Sequence, residues 1–278
     1  AQKAFDDDVP DASDALNAAY ATGTPGVGLH GFPRGPNPGT FLHGLLEWAG
    51  DEGFGTAAAD RAALVDAGPR RCNRRGWAAW IHPPRDWLAA LLVCPLPAGG
   101  GAPVKLAELA AYQVEMEFWF QSTRVDVTRM DALVRRHTLG GAARAPANPA
   151  LLNGMFKGFV DLVFEHDGRY YVADYKSNWL GDDDAAYTQD TMRKEMLKKR
   201  YDLQYVLYLL ALHRQLKVRL PDYDYDRHVG GALYLFLRGS RAPSKGAFHT
   251  RPPRALIEAL DAMFAGRGAA ADAPGELA

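Results

Sequence analysis

Cysteine is scarce in this chain: among its 278 residues there are two, Cys72 and Cys94. Two thiols cannot supply a four-cysteine zinc or iron–sulfur site. Two lone cysteines also suit a reducing compartment. Neither charge is in excess: 32 basic and 33 acidic residues leave a net charge of −1. No global field therefore draws a polyanion, and any nucleic-acid contact must come from local patches. Two stretches qualify: Arg70, Arg71, Arg74 and Arg75, and the run from Arg193 to Arg200 with Lys194, Lys198 and Lys199. Each would otherwise be a solvated helix or loop face. No apolar run approaches the roughly 18 residues of a membrane span, and no signal peptide is visible, so no membrane partner is expected. The chain lacks a Gly-x-x-x-x-Gly-Lys-Ser/Thr loop, which excludes P-loop ATP binding. It also lacks a Gly-x-Ser-x-Gly elbow, and neither cysteine sits in a nucleophile motif.

What is present suits one large domain or two small ones, with 47% hydrophobic residues. Between Ala21 and Thr40 there are six Gly and four Pro, so residues 1–39 read as an extended linker. From Thr40, a candidate N-cap, Leu42, Leu45 and Leu46 fall at helical spacing. Further helices are expected near 56–67, 75–82 and 85–93, with Pro83, Pro84 and Pro95 marking ends. Residues 100–104 read as a loop, Tyr112–Phe120 as a strand, 127–137 as a short helix and 140–153 as a loop. Residues 185–217 are strongly helical, in one or two pieces. Gly230–Arg238 reads as a buried strand and 253–265 as a closing helix. The chain opens at Ala1 and ends in a small, polar tail, which suggests a piece of a longer polypeptide.

The most informative stretch is Gly158–Trp179. It reads as two apolar strands around the turn His166-Asp167-Gly168-Arg169. Pairing Glu165 with Tyr170 sets Val163 opposite Val172 and Asp161 opposite Asp174. Opposed carboxylates some 5 Å apart repel unless a cation lies between them. Acids inside apolar strands are costly without such a partner. Strand alternation puts Lys176 on the face of Asp174. Glu115 and Glu117, at i and i+2, share a strand face by the same alternation. Gln204 and Tyr208, at a spacing of four, share a helix face. His43, beside Leu42 and Leu45, would alone be read as a hydrogen-bonded core residue. Trp179 could stack on a base, but burial in the core is the expected fate.

Asp161, then Asp174-x-Lys176 thirteen residues on, is the core pattern of the PD-(D/E)xK nucleases. The ordered set Ala173–Gly181, Tyr201-Asp-Leu-Gln204-Tyr205-Val-Leu-Tyr208 and Gly230–Gly239 resembles the RecB-type nuclease domains, the C-terminal part of exodeoxyribonuclease V beta subunits. The resemblance runs from about Phe32 to Phe264 and is densest over Gly154–Gly239.

The resemblance implies an α/β fold, with a small mixed sheet flanked by helices and an N-terminal helical part. It places a helical lead-in at 40–105, a nuclease core at 106–268 and a flexible tail at 269–278. It implies Mg²⁺-dependent hydrolysis of DNA phosphodiesters to 5′-phosphate products, with one Mg²⁺ and a second left open. The implied ligands are His43, Glu115, Asp161 and Asp174, since this family carries an acid and a histidine in these contexts; Glu117 stays as a neighbouring group. Asp161, Asp174 and Lys176 would be catalytic, with Lys176 stabilising charge. Gln204, Tyr208 and Tyr205 would support the site; Tyr201 and Asn178 are weaker candidates. Implied partners are single- and double-stranded DNA ends, RecC-like and RecD-like subunits, and a helicase motor N-terminal to this piece, in a bacterial cytoplasm. Two rivals stand beside this reading. One is a Cas4-like or phage-type nuclease acting alone, disfavoured by the missing cluster cysteines. The other is a catalytically silent docking or strand-binding module, disfavoured because every motif position is filled.

Overall fold

A computed structural model of the chain describes residues 29–60 and 82–267. The basic run Arg70–Arg75, the expected helix at 75–82 up to its last residue, most of the 1–39 segment and the tail at 269–278 lie outside the described residues. The first helix, α1, spans Pro36–Asp51, with Gly35 as N-cap and proline in its first turn. It thus starts before Thr40, because proline at the first helical positions lacks only an N–H that would be unpaired anyway. Residues 29–35 are packed rather than extended free of the domain: Leu29 and Phe32 are each 1% exposed. Helices α2 (Phe54–Ala59) and α3 (His82–Leu92) follow. Strand β1, Tyr112–Asp126, runs six residues past the expected end.

Asp126 then caps α4, Val127–His137, accepting from the N–H groups of Thr128 and Arg129 at 2.8 and 3.2 Å. Arg135, Arg136 and His137 close that helix, where cations suit its dipole. Strand β2, Leu151–His166, is far longer than expected and shortens the preceding loop. It turns through Asp167 and Gly168, both at positive φ (51° and 72°), into β3, Arg169–Lys176. Two positive φ values in a two-residue loop match the twist of the flanking strands. The helical stretch falls into α5 (Gln189–Lys198) and α6 (Tyr201–Arg219). The short α7 (Tyr225–His228), β4 (Val229–Phe236), β5 (Ala247–Thr250) and α8 (Arg254–Phe264) complete the fold. Strand β5 was not foreseen, its four residues being too few to show a period.

The five strands lie in the order β1-β2-β3-β4-β5. Only β3 and β4 are parallel, joined through α5–α7; the other pairs are antiparallel. The hairpin register is the one expected, with Glu165 against Tyr170 and Val163 against Val172. One face of the sheet, with Leu162, Phe164, Ala173 and Leu233, packs on the α1–α3 layer. The other, with Val163, Val172, Ala232 and Tyr234, packs on α4, α6 and α8.

Apart from the bulge at Thr123 and Arg124, where the β1–β2 ladder shifts register, alternation also fails at the acids. Val114 packs with the α1 side, yet Met116 and Phe118 lie in the opposite core. On the partner strand Leu162 and Phe164 face α1, whereas Val160 faces α6. The ladder pairs Val114 with Leu162 and Met116 with Val160, and skips Glu115 and Asp161 between them. Glu115 has φ 45°, in the left-handed region that non-glycine residues rarely adopt. Both strands therefore change faces at these two acids, and the i, i+2 argument for Glu115 and Glu117 does not hold. Beyond the switch β1 and β2 continue as an arm. On its buried face Gly158 leaves room for the Phe118 ring, into which an added Cβ would run.

Candidate active site

Asp161 stands where β2 and β3 part: their ladder ends at Leu162–Ala173. Its Oδ2 accepts the Tyr175 N–H at 2.7 Å, so a side chain continues where the backbone ladder stops. On β3, Asp174 and Lys176 point to one side, with Lys176 Nζ 2.8 Å from Asp174 Oδ2. Both side chains are at least nine-tenths buried, at 4% and 7% exposure. The ammonium also lies 4.1 Å from the centroid of the Tyr201 ring, at the start of α6. Aromatic faces attract cations, so Lys176 is held from two sides. His43, on α1, sits with Nδ1 3.5 Å from Asp161 Oδ2 and its ring edge on Tyr175.

The electrostatics follow from three acids crowded into a partly dry cleft. Burial pushes Asp174 up to about 7, with Lys176 opposing and Asp161 adding to the rise. Burial, then the charges of Asp161 and Glu47, raises Glu115 to about 7. Burial alone would raise Asp161 too, but His43, the Tyr175 N–H and Lys176 hold it below its ordinary value. Burial alone would lower His43; the Asp161 carboxylate outweighs it and lifts the imidazole to about 9. Asp174 and Glu115 are thus held up by burial and by neighbouring acids, a cost that a cation bound between the carboxylates would relieve.

His43, Glu115, Asp161, Asp174 and Lys176 line one cleft of about 290 Å³, together with Gln204 and Tyr208 of α6. Gln204 is wedged: its Oε1 accepts from the Tyr234 hydroxyl and its Nε2 donates to the Tyr208 oxygen, both at 2.9 Å. Tyr234, on β4 directly beside Asp174, is fully buried and supports the site from behind through Gln204, a role the motif reading missed; its place as the sixth residue of a buried apolar strand hid it. Tyr205 is not brought to the cleft. It is fully buried, edge-on to Tyr234. Asn178 is turned toward α5, donating to Glu195 at 3.0 Å. Trp179 is 39% exposed rather than in the core, with the Arg34 guanidinium 3.9 Å over its ring. Glu117 is engaged elsewhere, 2.6 Å from Lys157 Nζ and accepting from Trp119 Nε1 at 2.6 Å. In the 193–200 stretch, Arg193 and Arg200 donate to the carbonyls of Leu139 and Pro146.

A sequence-family model described as the PD-(D/E)XK nuclease superfamily matches residues 27–277. The chain belongs to this superfamily. Asp161, Asp174 and Lys176, the residues that the sequence pattern singled out, are gathered in the cleft. The RecB subunit of the RecBCD enzyme from Escherichia coli K12 is 44% identical over 259 residues, 91% of this chain and 21% of that subunit. The corresponding subunit of Haemophilus influenzae Rd is 37% identical over 238 residues, 84% of this chain and 19% of its own length. That of Mycobacterium tuberculosis H37Rv is 31% identical over 270 residues, 85% of this chain and 24% of its own length. The chain is thus a RecB-like PD-(D/E)xK nuclease domain spanning about a fifth of the length of these relatives. No helix among the described residues is long and apolar enough to cross a membrane.

Proposed function

We propose that the cleft hydrolyses DNA phosphodiester bonds with Mg²⁺, as the nuclease part of a RecBCD-type helicase–nuclease in the bacterial cytoplasm. In that setting it would act in double-strand-break repair, recombination and degradation of linear DNA, with RecC-like and RecD-like subunits and a helicase motor as partners. The observation that carries this reading is the convergence of Asp161 and Asp174 from neighbouring strands, with Lys176 2.8 Å from Asp174.

The donor set fits Mg²⁺, a hard cation that takes carboxylate oxygens, often only one or two, and keeps several waters. Among the described residues no three His, Cys, Asp or Glu side chains already form a metal cage: Asp174 is turned to Lys176 and Asp161 to His43. Asp161 and Asp174 would hold the ion, with Glu115 at the rim. His43 would join them only after losing its proton; otherwise it balances Asp161. When bound, the ion supplies Lewis-acid polarisation of a phosphate oxygen and acidifies water. Lys176, fixed by Asp174 and the Tyr201 ring, stabilises negative charge that develops on the phosphate. Gln204, locked between Tyr234 and Tyr208, shapes the α6 wall on which the strand is oriented.

The test is cleavage of linear and circular single-stranded DNA by this chain, with Mg²⁺ or with EDTA, beside Asp174→Ala. Metal-dependent cutting that disappears in the variant supports the reading. An intact chain that neither binds Mg²⁺ in calorimetry nor cuts DNA refutes it in favour of a docking module.

A further inference from the structure

We propose that the outer face of the β1–β2 arm is a stacking subsite for single-stranded DNA, with Trp119 as its platform, leading into the cleft. The inference rests on the nuclease reading of that cleft.

It follows from the face switch at Glu115 and Asp161. Past that point, residues that would have faced α1 are turned out beyond it. Opposed residues of an antiparallel pair share a face, and three such pairs lie in a row: Glu117 with Phe159, Trp119 with Lys157, and Gln121 with Met155. The reverse face of the same arm is core, with Phe118, Phe120 and Phe156 buried and stacked. The outer face is open: Trp119 is 56% and Met155 59% exposed. The row starts inside the site, because Phe159 and Lys157 line the same cleft as Asp161 and Asp174. Lys157 is four residues from Asp161, a run of roughly 13 Å along a strand.

Trp119 is not a loose side chain that happens to meet water. Its Nε1 donates to Glu117 at 2.6 Å, and Lys157 Nζ lies 4.7 Å from its ring centroid and 4.8 Å from that of Phe159. An indole pinned by its edge loses little freedom when a base stacks on it. Aromatic platforms of this kind bind single strands without regard to sequence, since every base has a π-face. The paired bases of a duplex hide those faces. A protein partner would favour a continuous apolar centre, whereas here Glu117, Lys157 and Gln121 interleave with Trp119 and Met155. Glu117 already neutralises Lys157 at 2.6 Å, so stacking rather than charge carries the contact.

The test is anisotropy of a fluorescein-labelled oligothymidylate and of a blunt duplex of equal length, bound to the 278-residue chain in EDTA. Trp119→Ala should weaken single-strand binding by roughly fivefold to a hundredfold. Trp119→Phe should restore most of it, duplex binding should not change, and the slope of binding against salt should stay the same. The proposal falls if Trp119→Ala binds the oligomer like the parent, if Phe is no better than Ala, if duplex and single strand lose equally, or if the parent does not bind the oligomer. Loss of self-association or subunit binding with unchanged DNA binding would make the face a protein interface instead. Because the readout is binding without Mg²⁺, its failure is separate from failure of the nuclease reading, which would show as absent Mg²⁺-dependent cutting.

Discussion

Asp161 and Tyr175, fourteen residues apart, are joined by a hydrogen bond from the Tyr175 N–H to the Asp161 carboxylate at 2.7 Å. The carboxylate thereby does two things: it closes the gap where two strands part, and it carries charge into the cleft. The two roles can be separated. Asp161→Asn retains an oxygen acceptor for Tyr175 but no charge. It should keep the folded structure, with an unfolding free energy unchanged to within about 1 kcal/mol, while DNA cleavage falls at least ~100-fold. Parallel urea titration and single-turnover cleavage check it.

Lys176 is held by Asp174 and by the Tyr201 ring. Lys176→Gln should lower the cleavage rate by roughly 10²- to 10³-fold, the range expected for losing one charge-stabilising donor. Tyr201→Phe keeps the aromatic face and should cost little, whereas Tyr201→Leu should cost several-fold. Equal rates for the Phe and Leu variants would show that the ring does not position the lysine.

Arg144 sits in the interior between two acids, 2.7 Å from Asp131 of α4 and 2.7 Å from Asp202 of α6, with all three side chains at most 3% exposed. It ties the 142–150 loop to both helices. Arg144→Leu would leave two buried carboxylates facing each other. Removing one member of a buried ion set typically costs about 3–5 kcal/mol, and urea unfolding should show a loss of that size.

Arg238 is 2% exposed, and among the described residues it forms no ion pair with a carboxylate. Its guanidinium donates instead to four carbonyls, those of Leu29, Phe32, Pro33 and Ser177, at 2.6 to 2.9 Å. Burial pulls its pKa down to about 10, still far above neutrality. Arg238→Met should orphan those carbonyls, destabilise the protein by at least about 2 kcal/mol, and expose the backbone of residues 29–33 to hydrogen exchange first.

Asp261 of α8 accepts from Arg214 of α6 at 2.6 Å and from Lys217 at 3.3 Å. Burial alone would raise its pKa, but these two cations hold it below the ordinary value. A depressed folded-state pKa stabilises the fold above the unfolded value, near 4, and the benefit is lost as pH falls through the folded value. Asp261→Asn should therefore lower the melting temperature by a constant amount between pH 5 and 7, and the gap should close below about pH 4.

Much of this was legible in the residues. The Asp-Gly turn and the alternation of Val163, Val172 and their neighbours set the hairpin register, because pairing next to a two-residue turn has few solutions. The helix expected over 127–137 has those bounds in α4, where Asp126 caps its start and basic residues close it. Gln204 and Tyr208 share a helix face because a spacing of four must put them there. The resemblance brought the acids and Lys176 together as a motif, and that motif lines the cleft.

What the sequence by itself determined about this protein is therefore its local geometry and its family. Tertiary structure decided the rest. Glu115 takes a left-handed backbone because two cores compete for the strand on either side of it, and no local period encodes that contest. The resulting face switch separates Glu115 from Glu117 and turns Trp119 outward. Tyr205 and Tyr234 both went to the core, and it is Tyr234 that lies beside Asp174, because packing between α6 and β4, not spacing along either element, selects which ring does so. Arg144 and Arg238 found partners more than 50 residues away in sequence; a buried charge must be matched by whatever the fold brings to it, and only the folded chain shows what that is.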